Sequence, residues 1–499
     1  SSDVCSSDLG AEIRKAEFAK LQQFSFANTD HFSSSSLVTR LTSDVTTIQN
    51  SVAAGMRPAF RSPVMMLTAM AASFYINPQL AMVFLVAAPV LGALLFFIIS
   101  RVRPLYSVMQ GAIDMVNRII QENLTAIRVV KSYVRGDHEI QKFEEVNYNL
   151  RFTAEKAFRL AVLNMPAMQL VMYSTILCIL WFGGRLVTIG GVKVGELTGF
   201  LSYVLQVLNS LMMFSNVFLM TTRALASWKR ISEVMSEEID IKEGGASPLE
   251  VEHGDIRFEH VYFKYNQDAA EYVLSDISFH IKAGQTVGII GQTGAAKSTL
   301  VQLIPRLYDV TNGTVYIDGR PVREYPLKGL RDSIAMVLQK NTLFSGTVKD
   351  NLRWGKETAT DQEIREACRI ACVDEFIDRL EHGYETELGQ GGVNVSGGQK
   401  QRLCIARAIL KSPRVLILDD STSAVDTATE AKIRDGLAKS MPDTTKIIIA
   451  QRISSVVHAD QIIILEDGRV NAAGSHETLL ASNQIYQDIY HSQQEGANL

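Results

Sequence analysis

The sequence predicts a two-part fold, in which an α-helical transmembrane domain precedes an α/β domain built around a phosphate-binding loop. Hydrophobic residues make up 47% of the chain, and they concentrate in its first half. Four apolar segments there come close to the roughly 20 residues that a helix needs to cross a bilayer. In the second half, a buried-strand pattern leads directly into a glycine-rich loop and then a helix.

The four apolar segments are residues 58–76, 80–100, 161–183 and 197–220. Lys and Arg residues flank the start of the first and third segments and the end of the second and fourth. Because positive charges favour the cytoplasmic side, these ends are predicted to face the cytosol, and the α/β domain lies there too. The chain is therefore expected to span a membrane, and the family resemblance described below implies the plasma (cytoplasmic) membrane. The alternative is a large soluble protein in which these helices are buried.

The phosphate-binding loop follows an apolar strand predicted at residues 285–290, and a helix is predicted from Leu300. Backbone amides in such a loop surround phosphate oxygens, the lysine reaches the outer phosphates and the following hydroxyl binds magnesium. Ala296 stands immediately before the lysine, where the motif has glycine, and its methyl group is expected to crowd the approach to phosphate. The predicted nucleotide-binding residues are Gly291, Gln292, Thr293, Gly294, Ala295, Ala296, Lys297, Ser298 and Thr299.

Two further motifs follow downstream. Residues 414–420 form an apolar strand pattern that ends in two carboxylates, and Asp419 is predicted to hold magnesium. Before it, a small hydroxyl, two glycines and a glutamine precede a helix, which makes a second anion-binding segment. Its residues are Ser396, Gly397, Gly398 and Gln399.

Together these motifs resemble the ATP-binding cassette (ABC) family, and the resemblance covers essentially the whole chain after Gly10. It implies the cofactors ATP and Mg²⁺, with Tyr265 stacking on adenine. Gln339 would sense magnesium, beside Ser298 and Asp419 as metal-binding residues. Asp426, at the end of residues 423–426, would communicate between paired sites, and residues 386–391 resemble a loop typical of exporters.

Two residues depart from the family pattern at the positions that act on water. The family normally has glutamate after the magnesium aspartate, whereas this chain has Asp420, whose carboxylate is withdrawn by about 1 Å. The strand at 446–450 should be followed by histidine, whereas this chain has Gln451, which cannot become cationic. The sequence therefore predicts a catalytic centre, formed by Asp420 and Gln451, that hydrolyses ATP weakly.

The resemblance is closest to the degenerate-site subunit of bacterial heterodimeric multidrug exporters of type IV. In such pairs the Ser-Gly-Gly-Gln signature of one chain completes the site of the other. This implies a second ABC half-transporter with consensus catalytic residues as partner, and an amphipathic drug-like or lipid-like substrate within membrane lipids. Two alternatives remain: a homodimeric exporter with two slow sites, and a regulator that binds nucleotide without transporting.

Residues 1–9 read as a non-native, adapter-derived segment. Residues 10–236 are predicted to be a truncated transmembrane domain, 237–252 a linker and 253–499 the nucleotide-binding domain, with a helical subdomain around 343–407. By resemblance, coupling helices are expected near 28–35 and 133–138. The formal net charge of -4 provides no basic surface for nucleic acid, and the five cysteines imply no disulfide framework.

Overall fold

A computed structural model describes residues 2–244, 249–421 and 424–495. The chain divides into two compact units. One contains residues 2–20 and Ser35–Ser236, and the other contains Leu21–Ser34 and the described residues from Glu237 onward. Residues 21–34 thus pack with the α/β part of the protein, although the sequence assigns them to the membrane part.

The described residues up to Ser236 form nine α-helices, with a π-helical turn at Arg40–Asp44. They are α1 (Ser2–Gln22), α2 (Phe26–His31), α3 (Ser34–Thr39), α4 (Val45–Ile76), α5 (Pro78–Thr125), α6 (Ile127–Ser132), α7 (Gly136–Val162), α8 (Asn164–Thr188) and α9 (Val194–Ser236). The tight turn between α4 and α5 is explained by Asn77, whose side chain accepts hydrogen bonds from the first backbone amides of α5, and by Pro78 at its first position.

The helices of the first unit bury one apolar face and expose another. Ala69, Ile179, Phe200 and Val204 belong to a buried cluster shared by α4, α5, α8 and α9. Large apolar side chains point outward from the same helices, among them Phe60, Phe96, Leu177 and Trp181. A helix that is apolar on all sides is typical of a lipid environment.

Three stretches of the described residues are long and apolar enough to cross a membrane: Pro89–Thr125, Gly136–Thr188 and Val194–Ser236. The predicted segments 80–100 and 197–220 lie within α5 and α9, and 161–183 runs from the end of α7 through most of α8. Segment 58–76 lies in α4, where Arg61, Ser62 and Pro63 lower its hydropathy, and its assignment as a span stays a prediction.

The two coupling helices predicted near residues 133–138 and 28–35 coincide only in part with helices of the structure. The short helix between α5 and α7 is Ile127–Ser132, and residues 133–138 form the turn after it and the start of α7. Residues 28–35 cover the end of α2 and the start of α3. Within the predicted linker, residues 237–244 and 249–252 contain neither helix nor strand, and residues 245–248 lie outside the described part.

In its described part, the second unit contains three sheets and nine further α-helices. The strands are β1 (Ile256–Phe263), β2 (Leu274–Ile281), β3 (Thr286–Gly291), β4 (Asn312–Ile317), β5 (Arg320–Pro321), β6 (Ile334–Val337), β7 (Gly346–Thr347), β8 (Glu387–Leu388), β9 (Val415–Asp419), β10 (Thr445–Ile449), β11 (Gln461–Glu466) and β12 (Arg469–Gly474). The helices are α10 (Lys297–Gln302), α11 (Leu327–Asp332), α12 (Val348–Arg353), α13 (Asp361–Ile370), α14 (Asp374–Ile377), α15 (Gly397–Leu410), α16 (Thr427–Ser440), α17 (His476–Ser482) and α18 (Gln484–Glu495).

The largest sheet has the strand order β12-β11-β3-β10-β9-β6, and all of its strands are parallel except β12 at the edge. Every residue of β9 and β10 is buried, as expected for parallel strands covered on both faces. A second, antiparallel sheet of order β2-β1-β4-β5 shares one hydrophobic core with the largest sheet. Helices α12–α16 cover the other face of the largest sheet. The fold class predicted from the sequence is confirmed.

Candidate nucleotide-binding site

Three adjacent parallel strands bring the predicted motifs to one edge of the sheet. Ile449 at the end of β10 pairs with Ile289 in β3 on one side and with Asp419 in β9 on the other. The residues that follow these strands are the phosphate-binding loop, Asp420 and Gln451. The carboxyl edge of a parallel sheet is where such folds bind their ligands.

The phosphate-binding loop follows β3 and passes directly into α10, which begins at Lys297 rather than at the predicted Leu300. The ammonium group of Lys297 donates hydrogen bonds to the carbonyl oxygens of Gly291 and Gln292, both at 2.8 Å. Burial lowers the pKa of Lys297, and the nearby carboxylates of Asp420 and Asp419 act against this shift. The lysine is therefore held over the loop with two carboxylates close by.

Ala296 adopts a left-handed backbone conformation, with φ of 66°. Glycine adopts this conformation without cost, whereas a residue with a Cβ atom is disfavoured by roughly 1–2 kcal/mol. This explains why the motif prefers glycine before the lysine. The alanine leaves the path of the loop unchanged but introduces backbone strain immediately before the start of α10.

Ser298 and Asp419 provide oxygen ligands suited to a magnesium ion. The Ser298 hydroxyl donates to the Asp419 carboxylate at 2.9 Å, and Asp419 is only 2% exposed. Burial raises the pKa of Asp419 and the charge of Asp420 adds to the rise, while the Ser298 hydrogen bond lowers it. Because Mg²⁺ usually takes one or two protein oxygens together with phosphate and water, this pair fits the predicted ion.

Asp420 and Gln451 contact each other directly. The Gln451 side-chain amide donates to the Asp420 carboxylate at 2.7 Å. Asp420 leaves β9 with a positive φ of 47°, and its backbone amide donates to the carbonyl of Ile449 at 3.1 Å. Burial raises the pKa of Asp420, while hydrogen bonds from Gln451 and Gln339 lower it. The two departures from the family pattern thus form one hydrogen-bonded pair.

A cleft of about 540 Å³ joins these groups. Twelve of the predicted site residues line it: Gly291, Gln292, Thr293, Gly294, Ala296, Lys297, Ser298, Thr299, Gln339, Asp419, Asp420 and Gln451. Val273 and Ile489 also line the cleft, although no motif identified them. Both are isolated apolar residues, one before β2 and one in α18, so only the folded structure places them at the site.

Tyr265 lies two residues beyond β1 and does not line the cleft, but it contacts the loop that does. Its hydroxyl is hydrogen-bonded to that of Thr299 at 2.8 Å. Its ring makes edge contacts with Phe263 and Tyr308, and 48% of the residue is exposed. A half-exposed ring beside the phosphate-binding loop is compatible with base stacking, which stays a prediction.

The Ser-Gly-Gly-Gln segment starts α15 as a capping box. The Ser396 hydroxyl accepts from the Gln399 amide at 3.4 Å, and the Gln399 side chain accepts from the Ser396 amide at 2.8 Å. Gly398 is required because a Cβ atom there would lie 2.7 Å from the carbonyl oxygen of Ala424. None of the four segment residues lines the cleft of its own chain.

Two other predicted site residues, Asp426 and Ala295, also lie away from the cleft. Asp426 caps α16 by accepting from the Thr429 amide at 3.0 Å, and this hydrogen bond lowers its pKa. Ser423, in the loop before it, lies outside the described residues. Ala295 is buried beneath the phosphate-binding loop. Residues 386–391 contain β8 and a short 3₁₀ turn.

Membrane-length apolar helices together with a phosphate-binding α/β unit define a membrane protein that binds a nucleoside triphosphate. Two family models match the chain: the ABC transporter transmembrane region over residues 2–211 and the ABC transporter domain over residues 274–423. An uncharacterized ABC transporter ATP-binding protein of Bacillus subtilis, YfiB, is 42% identical over 97% of this chain and 83% of its own length. The chain belongs to the ABC transporter family.

Other similar proteins indicate which kind of ABC transporter the chain resembles. A putative multidrug export ATP-binding/permease protein of Staphylococcus aureus is 35% identical over 96% of this chain and 83% of its own length. A solved structure, that of a bacterial Atm1-family ABC exporter with ATP bound, matches with a TM-score of 0.84 and 25% identity. That match covers 98% of this chain and 86% of the other. The chain therefore has the exporter fold, with a transmembrane region and an ATP-binding domain.

Proposed function

We propose that this chain is one half-transporter subunit of an ABC exporter that moves amphipathic drug-like or lipid-like molecules out across the plasma membrane. The outward apolar side chains of α4, α5, α8 and α9 support a membrane location. The S. aureus relative named as a putative multidrug export protein supports the substrate class. The nucleotide is ATP, with its phosphates against the Gly291–Thr299 loop and Lys297.

Magnesium would be held by Ser298 and Asp419, with Gln339 at the same cleft. When bound, the ion neutralises phosphate charge. The residues of the chain supply the rest: Lys297 carries a positive charge to the outer phosphates, and the backbone amides after Gly291 surround the inner ones. Asp420 and Gln451 remain as the two groups at the edge of the site that contact water.

The side-chain types of Asp420 and Gln451 carry the proposal that this site hydrolyses ATP slowly, while the hydrogen bond between them holds both groups at the site. The Asp420 carboxylate is one methylene short of the usual base, and the Gln451 amide keeps it oriented at that shorter reach. A displacement of about 1 Å can reduce a rate by roughly 10²-fold. Glutamine also offers no positive charge to the transition state. Nucleotide would therefore stay bound here for longer than at a consensus site.

The intact signature supports a heterodimer. Ser396 and Gln399 form a complete capping box at the start of α15, with Gly397 and Gly398 between them. This chain would thus complete the site of a partner half-transporter, whose own glutamate and histidine perform most of the hydrolysis. A homodimer with two slow sites is the competing arrangement. It predicts that substitutions in the signature and in the Asp420–Gln451 pair reduce ATP hydrolysis equally.

The test compares two substitutions in the assembled transporter. Ser396→Ala should abolish most steady-state ATP hydrolysis, because it removes the signature hydroxyl from the partner's site. Asp420→Asn should leave much of the hydrolysis intact, because it changes only the slow site. Both are measured as phosphate release by the purified pair, with substrate uptake into inverted vesicles as a second readout.

Thr360→Ala is the matched control for Ser396→Ala. Thr360 also caps a helix of this region through a capping box, at the start of α13, so its loss costs a similar ~1 kcal/mol of helix stability without touching the signature. Hydrolysis should survive this change. Equal losses in Ser396→Ala and Asp420→Asn would contradict the asymmetric arrangement.

A further inference from the structure

One side chain outside every motif links α18 to the candidate catalytic pair. The amide group of Gln493 bridges two backbone groups of the loop that follows β10. The amide N–H of Ile453 donates to Gln493 Oε1, and Gln493 Nε2 donates to the carbonyl oxygen of Gln451, both at 2.8 Å. Gln451 in turn donates from its side chain to Asp420 at 2.7 Å. The bonds form a continuous connection from α18 to the carboxylate.

The position of Gln493 is set by the core. Tyr486, in the first turn of α18, is fully buried, and its hydroxyl is hydrogen-bonded to His476 at 2.6 Å. One turn before Gln493, Ile489 lines the nucleotide cleft. Since these contacts hold α18 in place, the backbone of Gln493 has a fixed position from which its side chain contacts the loop.

The chemistry of the contact is specific to a primary amide. The loop presents one donor, the Ile453 N–H, and one acceptor, the Gln451 carbonyl. A neutral amide satisfies both at once, whereas a carboxylate can only accept and an alkyl group can do neither. Without the bridge, the loop groups exchange their partner for water, and the loop is free to shift.

We propose that Gln493 is a positioning residue for the nucleotide site: it fixes the Gln451–Ile453 loop so that the Gln451 amide stays on Asp420. The inference rests on the proposed function, because it names a residue that regulates the same site. Gln493 contacts the backbone of Gln451 and is not among the residues that line the nucleotide cleft. Its removal should therefore slow the chemical step and leave nucleotide affinity unchanged.

The test uses the purified full-length protein loaded with Mg²⁺ and ATP labelled at the γ-phosphate. Gln493→Ala should reduce the single-turnover rate of hydrolysis by about tenfold, because a displaced Gln451 loses its alignment. The dissociation constant of the nucleotide should stay within about twofold, which separates loss of alignment from loss of binding. Gln493→Glu should show the same reduction, because it keeps the acceptor for Ile453 but loses the donor for Gln451.

Gln494→Ala is the matched control. Gln494 is the neighbouring glutamine in α18, and its amide donates to the Tyr490 hydroxyl within the same helix at 2.7 Å. This variant should hydrolyse ATP like the unaltered protein, and all three variants should keep the melting temperature of the protein within about 2 °C.

The inference is overturned if Gln493→Ala keeps the unaltered single-turnover rate, or if its rate falls only together with nucleotide affinity and thermal stability. The latter result would assign Gln493 a purely structural role. Either outcome is distinct from failure of the proposed function, because the comparison is a ratio between variant and unaltered protein. In a homodimer the ratio reports this site directly, and in a heterodimer it does so once the catalytic glutamate of the partner is replaced by glutamine, so that the partner's site no longer contributes.

Discussion

At the scale of single residues, Ala296 shows how a sequence departure becomes a structural cost. Its φ of 66° is the conformation that the motif glycine serves, and the loop keeps this path with alanine in place. The cost therefore lies in backbone strain and in a methyl group beside the phosphate path. This separates the effect of Ala296 on binding from the effects of Asp420 and Gln451 on hydrolysis.

Replacing Ala296 with glycine should stabilise the protein and tighten nucleotide binding. Relief of the left-handed strain is worth about 1 kcal/mol, reduced by the greater freedom of glycine in the unfolded chain. We expect a gain of roughly 0.5 kcal/mol in unfolding free energy and a two- to fivefold lower dissociation constant for Mg²⁺–ATP. Denaturant titration and equilibrium binding measure the two quantities.

Ala295→Gly is the control for this prediction. Ala295 is buried and does not have a positive φ, so glycine there removes packing and adds unfolded-chain entropy without relieving strain. It should destabilise the protein by about 0.5–1 kcal/mol. If both substitutions shift stability in the same direction, strain at Ala296 does not explain the motif.

For Asp419 we predict that the charge needed for magnesium binding lowers the stability of the nucleotide-free protein. Its pKa is raised in the folded protein, so ionisation costs stability once the pH rises above the unfolded value of about 3.9. Asp419→Asn should therefore raise the melting temperature of the nucleotide-free protein at pH 7 by about 1–2 °C and abolish magnesium-dependent ATP binding. The thermal gain should shrink as the pH falls towards about 4. A lower melting temperature of Asp419→Asn at pH 7 would contradict this prediction, because it would mean that the contacts of the Asp419 carboxylate outweigh the cost of burying its charge.

At the scale of elements, α2 packs with the second unit, although its position in the sequence suggests that it belongs to the first. Its residues pack with the second unit, where Phe26 makes an edge contact with the Tyr308 ring and Asp30 accepts from the Tyr308 hydroxyl at 2.8 Å. Tyr308 also contacts Tyr265, the predicted adenine-stacking residue. We propose that this contact is where the predicted coupling segment at residues 28–35 meets the nucleotide-binding domain.

Tyr308→Phe should loosen α2 without disturbing the phosphate-binding loop. The substitution removes a hydrogen bond to a carboxylate, worth roughly 1.5–3 kcal/mol, but keeps the ring contacts. Hydrogen exchange of the amides in α2 should become at least about tenfold faster, while exchange in Gly291–Thr299 stays unchanged. In contrast, Tyr265→Phe removes the hydrogen bond to Thr299 and should leave α2 unaffected. Unchanged exchange of α2 in Tyr308→Phe would mean that Phe26 alone holds the helix.

Sequence patterns located the main strands of the site within a residue or two, because local signals define them. The apolar runs predicted at 285–290, 414–420 and 446–450 correspond to β3, β9 and β10, and of the two carboxylates Asp419 ends β9 and Asp420 follows it. The start of α10 was placed three residues too late, because Leu300 is its first apolar residue whereas the turn is made by Ala296. Gln493 carries no local signal, since its role depends on a contact between residues 40 apart in sequence.

At the scale of the whole molecule, the two units separate the tasks that the sequence implies. One is built from apolar helices, and the other collects the residues predicted to bind phosphate and magnesium at the carboxyl ends of β3, β9 and β10. The signature at the start of α15 does not line the cleft of its own chain. This agrees with the dimers in which ABC exporters work, and under the proposed function the slow site of this chain makes the choice of partner decisive.

Steady-state ATP hydrolysis by the full-length protein, purified alone and then together with a half-transporter that carries the consensus glutamate and histidine, tests this account most directly. We predict that the chain alone hydrolyses ATP at least about tenfold more slowly than the pair, because Asp420 and Gln451 serve its own site while its signature serves the partner's. Rapid hydrolysis by the chain alone, with no further increase in the pair, would contradict the account and favour a homodimer with two working sites.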